Sequence, residues 1–285
     1  MGDLNKAIEL LANTKKTRSD KRYVSLDVAY GIRARVHLTM HNYADALKDA
    51  EAALASTSSV PYSSAAVSKP TFIDIEDASW MWGILITDKD RVSTTGICNF
   101  PSHMGSLNYG YASVGGWRRI SPKLYNQIPE SDVRKGWFLD DTGVSVNLPA
   151  AAQAYITKKG APVYTQVKYG PMNDEWGSNN NATDVILMRV EEMYLIKAEA
   201  QAMNNDVSGG VNTLNSFVNT YRDPSYKCTA TTGEAVQEAV WHQRRIEFWG
   251  EGLAYFDIMR LNKGVNRLGC GFPKTAVFNL SLIHI

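Results

Sequence analysis

QRRIEFWGEGLAYFDIMR, residues Gln243–Arg260, packs three arginines, three carboxylates and four aromatic rings into eighteen positions. Glu247 and Glu251 stand four apart, a spacing that sets two carboxylates side by side on a helix, with Arg244 a turn before Glu247. Two readings compete. A retaining glycosidase needs paired carboxyl groups roughly 5 Å apart, one of them held protonated. Abundant arginine opposes the raised pKa that such an acid requires, so ion pairing between packed helices is the stronger reading. The stretch is therefore expected to be a structural network of Arg244, Glu247, Glu251, Asp257 and Arg260, with Phe248, Trp249, Tyr255 and Phe256 supplying burial. Gly250 and Gly252 mark a hinge between two helices.

The neighbouring sequence is helical in period. Asp184–Leu187 is expected to start a helix whose apolar stripe runs through Met193, Ile196, Ala200 and Met203. Val211, Leu214 and Val218 carry the next helix, which Asp223-Pro224 ends, and residues 234–262 hold two more around the glycine hinge. At the other end of the chain, Ala46, Ala50, Ala53 and Leu54 recur at one-face spacing, and His41-Asn42 turns between this helix and an earlier one containing Ala34. Small residues at such positions fit the close helix approach of a tetratricopeptide repeat.

Residues 57–183 have another texture. Glycines and prolines punctuate them densely, with short β-like pieces such as Val163–Val167 in between. They also hold five of the seven tryptophans: Trp80, Trp82, Trp117, Trp137 and Trp176. The expected class is mainly α, a tetratricopeptide-like helical-hairpin scaffold with an irregular, partly β, aromatic-rich inserted region. The chain is read as one domain with regions 1–56, 57–183 and 184–263 and a tail from 264 to 285.

Composition narrows the function. A net charge of +1 and 21% charged residues give no field of one sign, which argues against nucleic acid as the main partner. Cys98, Cys228 and Cys270 are odd in number, far apart and without metal-ligand spacing. His37 and His41 share a helix face, but Leu38-Thr39-Met40 offers no general base and no third ligand follows, so no metal or other cofactor is expected. The oxygen-rich Asn173–Asn181 lacks the alternating order of a calcium loop and reads as a solvated loop. No phosphate-binding, dinucleotide or nucleophile-elbow motif occurs.

What remains is the tryptophan-rich middle. Sugar rings present flat C–H faces that stack on aromatic planes, while Asn, Asp and Arg bind hydroxyls. Trp80, Trp82, Tyr109, Tyr111, Trp117, Arg118 and Trp176 are the candidate glycan contacts, weighed against the alternative that most of these rings fill a core.

The opening stretch resembles the C-terminal signature of the SusD/RagB family, roughly E-R-R-x-E-L-x-x-E-G-x-R-x-x-D-L-x-R, with Gln243 in place of the first glutamate and Ala254 in place of an arginine. The segments Met188–Gln201 and Leu214–Arg222 are similar to two upstream family signatures in the same order. The resemblance implies a surface lipoprotein of the Bacteroidota outer membrane. Such a protein would capture oligosaccharides without catalysis and pass them to a SusC-like TonB-dependent transporter. It also implies a longer parent: an amphipathic pattern starts directly at Met1, and Leu280–Ile285 resembles a translated sequencing-adaptor end, so a fragment shortened at both ends is expected. The competing readings are a helical-repeat module that binds a protein partner and no sugar, and a glycoside hydrolase.

Overall fold

Alanine sets how closely the N-terminal helices approach. The computed structural model describes residues 1–14, 17–90, 93, 99–267, 270 and 277–279; Cys98 and the tail Leu280–Ile285 lie outside them. In chain order the first half contains α1 (Gly2–Asn13), α2 (Leu26–Thr39), α3 (Tyr43–Ser56), α4 (Ser64–Val67), β1 (Trp80–Ile84), α5 (Phe100–Met104), α6 (Pro122–Tyr125) and α7 (Ala150–Lys158). The second half contains β2 (Val185–Arg189), α8 (Val190–Met203), α9 (Val207–Tyr221), α10 (Gly233–Glu247), α11 (Ala254–Arg260), β3 (Gly264–Asn266) and β4 (Val277–Asn279). The fold is mainly α, with eleven α-helices and four short strands among the described residues. The chain divides into two compact units. The first comprises Met1–Pro61, Met188–Asn219 and Ser225–Ile285, the second Tyr62–Leu187 and Thr220–Pro224.

In the first unit, α2 and α3 form a hairpin whose turn places His41 at a positive φ of 60°. The stripe Ala46, Ala50 and Ala53 is fully buried, as its spacing predicts, and α8 packs against α3, α2 and α10. His41 brings Nε2 to 2.8 Å from the Arg260 carbonyl oxygen, while His37 is buried near Asp45 and Asp49. Helix α8 starts later than the periodicity implies. Val185–Leu187 are extended, because β2 pairs with β1 and the Asp184 carboxylate accepts from the Ile75 and Ile86 backbone amides at 2.8 and 2.7 Å. Tertiary pairing thus overrides a helical pattern in a β-branched run. The expected hinge is present: Gly250 and Gly252 both adopt a φ of 82°, a left-handed conformation open mainly to glycine, between α10 and α11.

The second unit has little regular structure and is held by rings and buried polar groups. Phe72 meets Tyr62, Trp137 and Tyr169 edge-on, with centroids 4.9, 5.3 and 6.2 Å apart. Trp137 donates from Nε1 to the Val67 carbonyl at 2.9 Å. Arg222, which ends the Leu214–Arg222 signature, is buried and donates to the Tyr62 carbonyl at 2.8 Å. Val163–Val167 forms no strand. Tyr164 takes a φ of 65°, which breaks the extended run, and only isolated bridges Arg119–Thr165 and Phe138–Gln166 remain.

Gly210 of α9 marks a close helix approach in the first unit. A Cβ there would lie 2.6 Å from the Ala198 carbonyl oxygen and 2.8 Å from the Ala202 Cβ. Gly210→Ala is expected to destabilise the protein by about 1–3 kcal/mol despite its better helix propensity, measured by urea denaturation against the parent chain.

Candidate functional site

The carboxylates of Gln243–Arg260 turn away from solvent onto arginines. Arg189, wholly buried, lies 3.0 Å from Glu191 and from Glu247 and donates to both oxygens of Glu251 at 3.0 and 2.8 Å. The Phe248 ring sits 5.1 Å from its guanidinium carbon. Burial alone would lower the Arg189 pKa, but the three glutamates outweigh it and drive the value well upward. A second cluster joins Arg260 to Glu199 at 2.7 Å and to Asp257 at 2.9 Å, while Arg244 donates to the other Asp257 oxygen at 2.8 Å. Burial would raise the Asp257 pKa, yet Arg244 and Arg260 together hold it below the ordinary value.

Two expectations about this stretch are corrected. Glu247 pairs with Arg189, not with Arg244 one turn away, because Arg244 is drawn onto Asp257. Tyr255 and Phe256 do not supply burial: they are 56% and 57% exposed, since the inward positions of the seven-residue α11 are taken by Asp257 and Arg260. Phe248 alone of the four rings is fully enclosed, with Trp249 half-buried. Removing one partner of a buried ion pair strands the other, so Glu247→Ala should cost about 3 kcal/mol or more in chemical denaturation. Asp257, with its folded pKa depressed, contributes stability above the unfolded carboxylate range near about pH 4 and loses it as pH falls through the lowered value. Asp257→Asn should accordingly weaken the protein at neutral pH and flatten the acid limb of its stability profile.

The candidate surface lies in the second unit. A small core of Leu107, Leu139, Ala152, Ile156 and Val167 has Trp117, Tyr155 and Trp176 packed half-buried against it. Leu107 anchors the chain just before Tyr109. The Tyr109 amide donates to the Ser178 carbonyl at 2.7 Å, and the Gly177 amide donates to the Leu107 carbonyl at 2.8 Å. Asn181, buried, ties this segment further by donating from Nδ2 to the Tyr109 carbonyl at 3.2 Å. So fixed, Tyr109 and Tyr111 stay 48% and 44% exposed. His103 stacks on Tyr111 with centroids 4.8 Å apart, and the Arg118 guanidinium lies 5.7 Å from the same ring. Arg118 is oriented by donating from Nε to the His103 carbonyl at 3.0 Å. Lys159, following α7, places its ammonium 5.6 Å from the Tyr109 centroid and 5.7 Å from that of Tyr155. Burial pushes the Tyr155 hydroxyl pKa up.

Of the expected contacts, the structure packs Trp117 and Trp176 against one core and leaves Tyr109 and Tyr111 exposed, with Arg118 against the Tyr111 ring. Trp80 is a correction: it is 0% exposed and donates from Nε1 to the Tyr62 hydroxyl at 2.7 Å, so it fills the interior. Trp82, two residues along β1, is half-buried. Sequence reasoning missed His103, Tyr155 and Lys159, which reach the platform from elsewhere in the chain, and took the loop ending in Asn181 as merely solvated. A separate cleft of about 520 Å³ in this unit is lined by Tyr125, Tyr164, Asn126, Asn147, Glu130, Asp140 and Asp141 among others. Burial, with Asp140, Glu130 and Asp141, pushes the Tyr125 hydroxyl up to about 12.

Among the described residues no group of His, Cys, Asp and Glu is arranged to hold a metal ion, and no helix is long and apolar enough to cross a membrane. Residues 122–273, more than half of the chain, match the SusD family (SusD/RagB). Among solved structures, a SusD-like carbohydrate-binding protein of Bacteroides vulgatus superposes with a TM-score of 0.71 at 24% identity, over 92% of this chain and 50% of that one. A SusD superfamily protein of Bacteroides thetaiotaomicron gives a TM-score of 0.73 at 20% identity, over 98% and 59%. Another, of Bacteroides vulgatus, gives 0.67 at 20%, over 92% and 54%. The chain therefore spans between half and three-fifths of the length of these structures. No curated protein matches it.

Proposed function

The chain belongs to the SusD family, and from that premise we propose that it binds oligosaccharides, without chemically altering them, on the Tyr109–Tyr111 platform. The observation that carries this reading is a pair of tyrosines left about half exposed, each with a cationic side chain against its ring, near in sequence to a core on which Trp117 and Trp176 pack. Exposed rings supply stacking area at low entropic cost, and the arginine, lysine and histidine beside them donate to hydroxyls. Trp82, half-buried in β1, belongs to the same proposal as a further candidate contact. Capture without turnover agrees with the state of the carboxylate pair: Glu247 and Glu251 are both bound to Arg189, leaving neither free as a protonated acid.

Such capture would take place at the outer-membrane surface, on a lipoprotein that hands the sugar to a SusC-like TonB-dependent transporter. A groove in the first unit favours a protein partner as a second role. It encloses about 390 Å³ between α2 and α11, with Val36, Leu38, Met40, Leu253 and Phe256 on its walls.

Affinity electrophoresis against a polysaccharide panel tests the platform. Tyr109→Ala and Tyr111→Ala should each cost about 1 kcal/mol of binding, roughly fivefold in affinity, with an unchanged melting temperature. Equal retardation of parent and variants would remove these rings from the site, and release of reducing ends from any bound polysaccharide would overturn the non-catalytic reading.

A further inference from the structure

The platform carries charge of one sign at its rings. Lys159 is exposed and sits against Tyr109 and Tyr155; Arg118 is half-buried and sits against Tyr111. Neither forms an ion pair with a carboxylate among the described residues. Arg118 satisfies its Nε on the His103 carbonyl and brings Nη2 to 3.5 Å from His103 Nδ1, a partner that does not neutralise it. Arg119 and Lys158, both exposed, add to the same sign next to them in the chain. Asp174 and Glu175, exposed in the neighbouring turn, pair with neither cation.

A cation that rests on a ring gives up water on that side and keeps its charge uncompensated. Hydroxyl recognition does not require this, since amides and hydroxyls bind neutral sugars without the desolvation of a charge. The 520 Å³ cleft of the same unit is opposite in character, with Glu130, Asp132, Asp140 and Asp141 against Lys135 on its walls, so it disfavours an anionic ligand. Other parts of the molecule offer less. The α2–α11 groove has its arginines already bound to Glu192, Glu199 and Asp257, and Cys228 is buried.

We infer that the saccharide taken at Tyr109 and Tyr111 is acidic, a uronate- or sulfate-bearing glycan whose ring stacks on a tyrosine while its anionic group meets the cation beside that ring, Lys159 at Tyr109 or Arg118 at Tyr111. This rests on the proposed sugar-binding reading and adds the ligand's charge to it. The two anion chemistries are separable. Polygalacturonate supplies carboxylates and its fully methyl-esterified form removes them; dextran sulfate supplies sulfates and dextran is its neutral counterpart.

The test uses the 285-residue chain in affinity electrophoresis and titration calorimetry with both matched pairs, at two salt concentrations. Binding to at least one anionic polymer over its neutral counterpart is expected, weakening as salt rises. Lys159→Gln and Arg118→Gln should each lose about two- to fivefold, the range of exposed ion pairs. Both variants should keep the parent's far-ultraviolet circular dichroism and melting temperature, and their loss should be greater for the anionic polymer than for its neutral counterpart. Neutral polymers bound as well as or better than anionic ones would overturn the acidic assignment and leave sugar binding standing. Equal binding of polyglutamate would replace a saccharide site with a general polyanion surface. Failure to bind any of the four polysaccharides would remove both readings.

Discussion

A buried guanidinium organises the first unit. Arg189 stands at the end of β2, and its partners are Glu191 at the start of α8, Glu247 at the end of α10 and Glu251 in the turn that follows. A single planar cation thus fixes the entry of one helix and the exit of another, with three carboxylates meeting it and a phenylalanine ring beside it. The cost of removing these charges from water is large and is offset only while every partner stays in place. The cluster of Arg244, Asp257, Arg260 and Glu199 repeats the arrangement one element later and secures α11 to α8. Such pairs specify geometry more than they add net stability, which suits helices that pack through small side chains.

The second unit solves a different problem. Its chain is too punctuated by glycine and proline to form long helices or sheets, so backbone amides find partners in carbonyls and side chains scattered through the sequence. Asn181 bonding the Tyr109 carbonyl and Asp184 bonding two amides are instances. Aromatic rings fill the interior, and the rings left over at the surface are held by that same interior. Trp117, Tyr155 and Trp176 are half-buried against one apolar cluster of this irregular segment.

The helical parts of this chain were legible in its sequence because their signals are local. The alanine stripe of α3, the breaks after α8 and α9 and the Gly250–Gly252 hinge follow from side-chain period and from residues with restricted or permissive backbones. The ordered charges of Gln243–Arg260 pointed to a structural network and to a family. Which charges meet, by contrast, depends on chain segments brought together from far apart: Glu247 finds Arg189 across 58 positions of sequence. Likewise, Val185–Leu187 took the strand that β1 offered instead of the helix their neighbours suggested.

For the candidate site, the residue types were legible and the accessibility was not. Composition placed most tryptophans in residues 57–183 and named Tyr109, Tyr111 and Arg118, since aromatic and guanidinium chemistry is carried by the residues themselves. Whether a ring faces water is set by the elements that happen to cover it. Trp80 and Trp82 look equivalent in sequence, yet one is enclosed and bonded to Tyr62 and the other half-exposed. Lys159 carries no motif, and only the end of α7 beside Tyr109 gives it a place on the platform. The sequence by itself determined the helical class, the family and the supply of rings. The tertiary structure decided which rings remain at the surface and which charges stand beside them, because burial and pairing are properties of long-range contact.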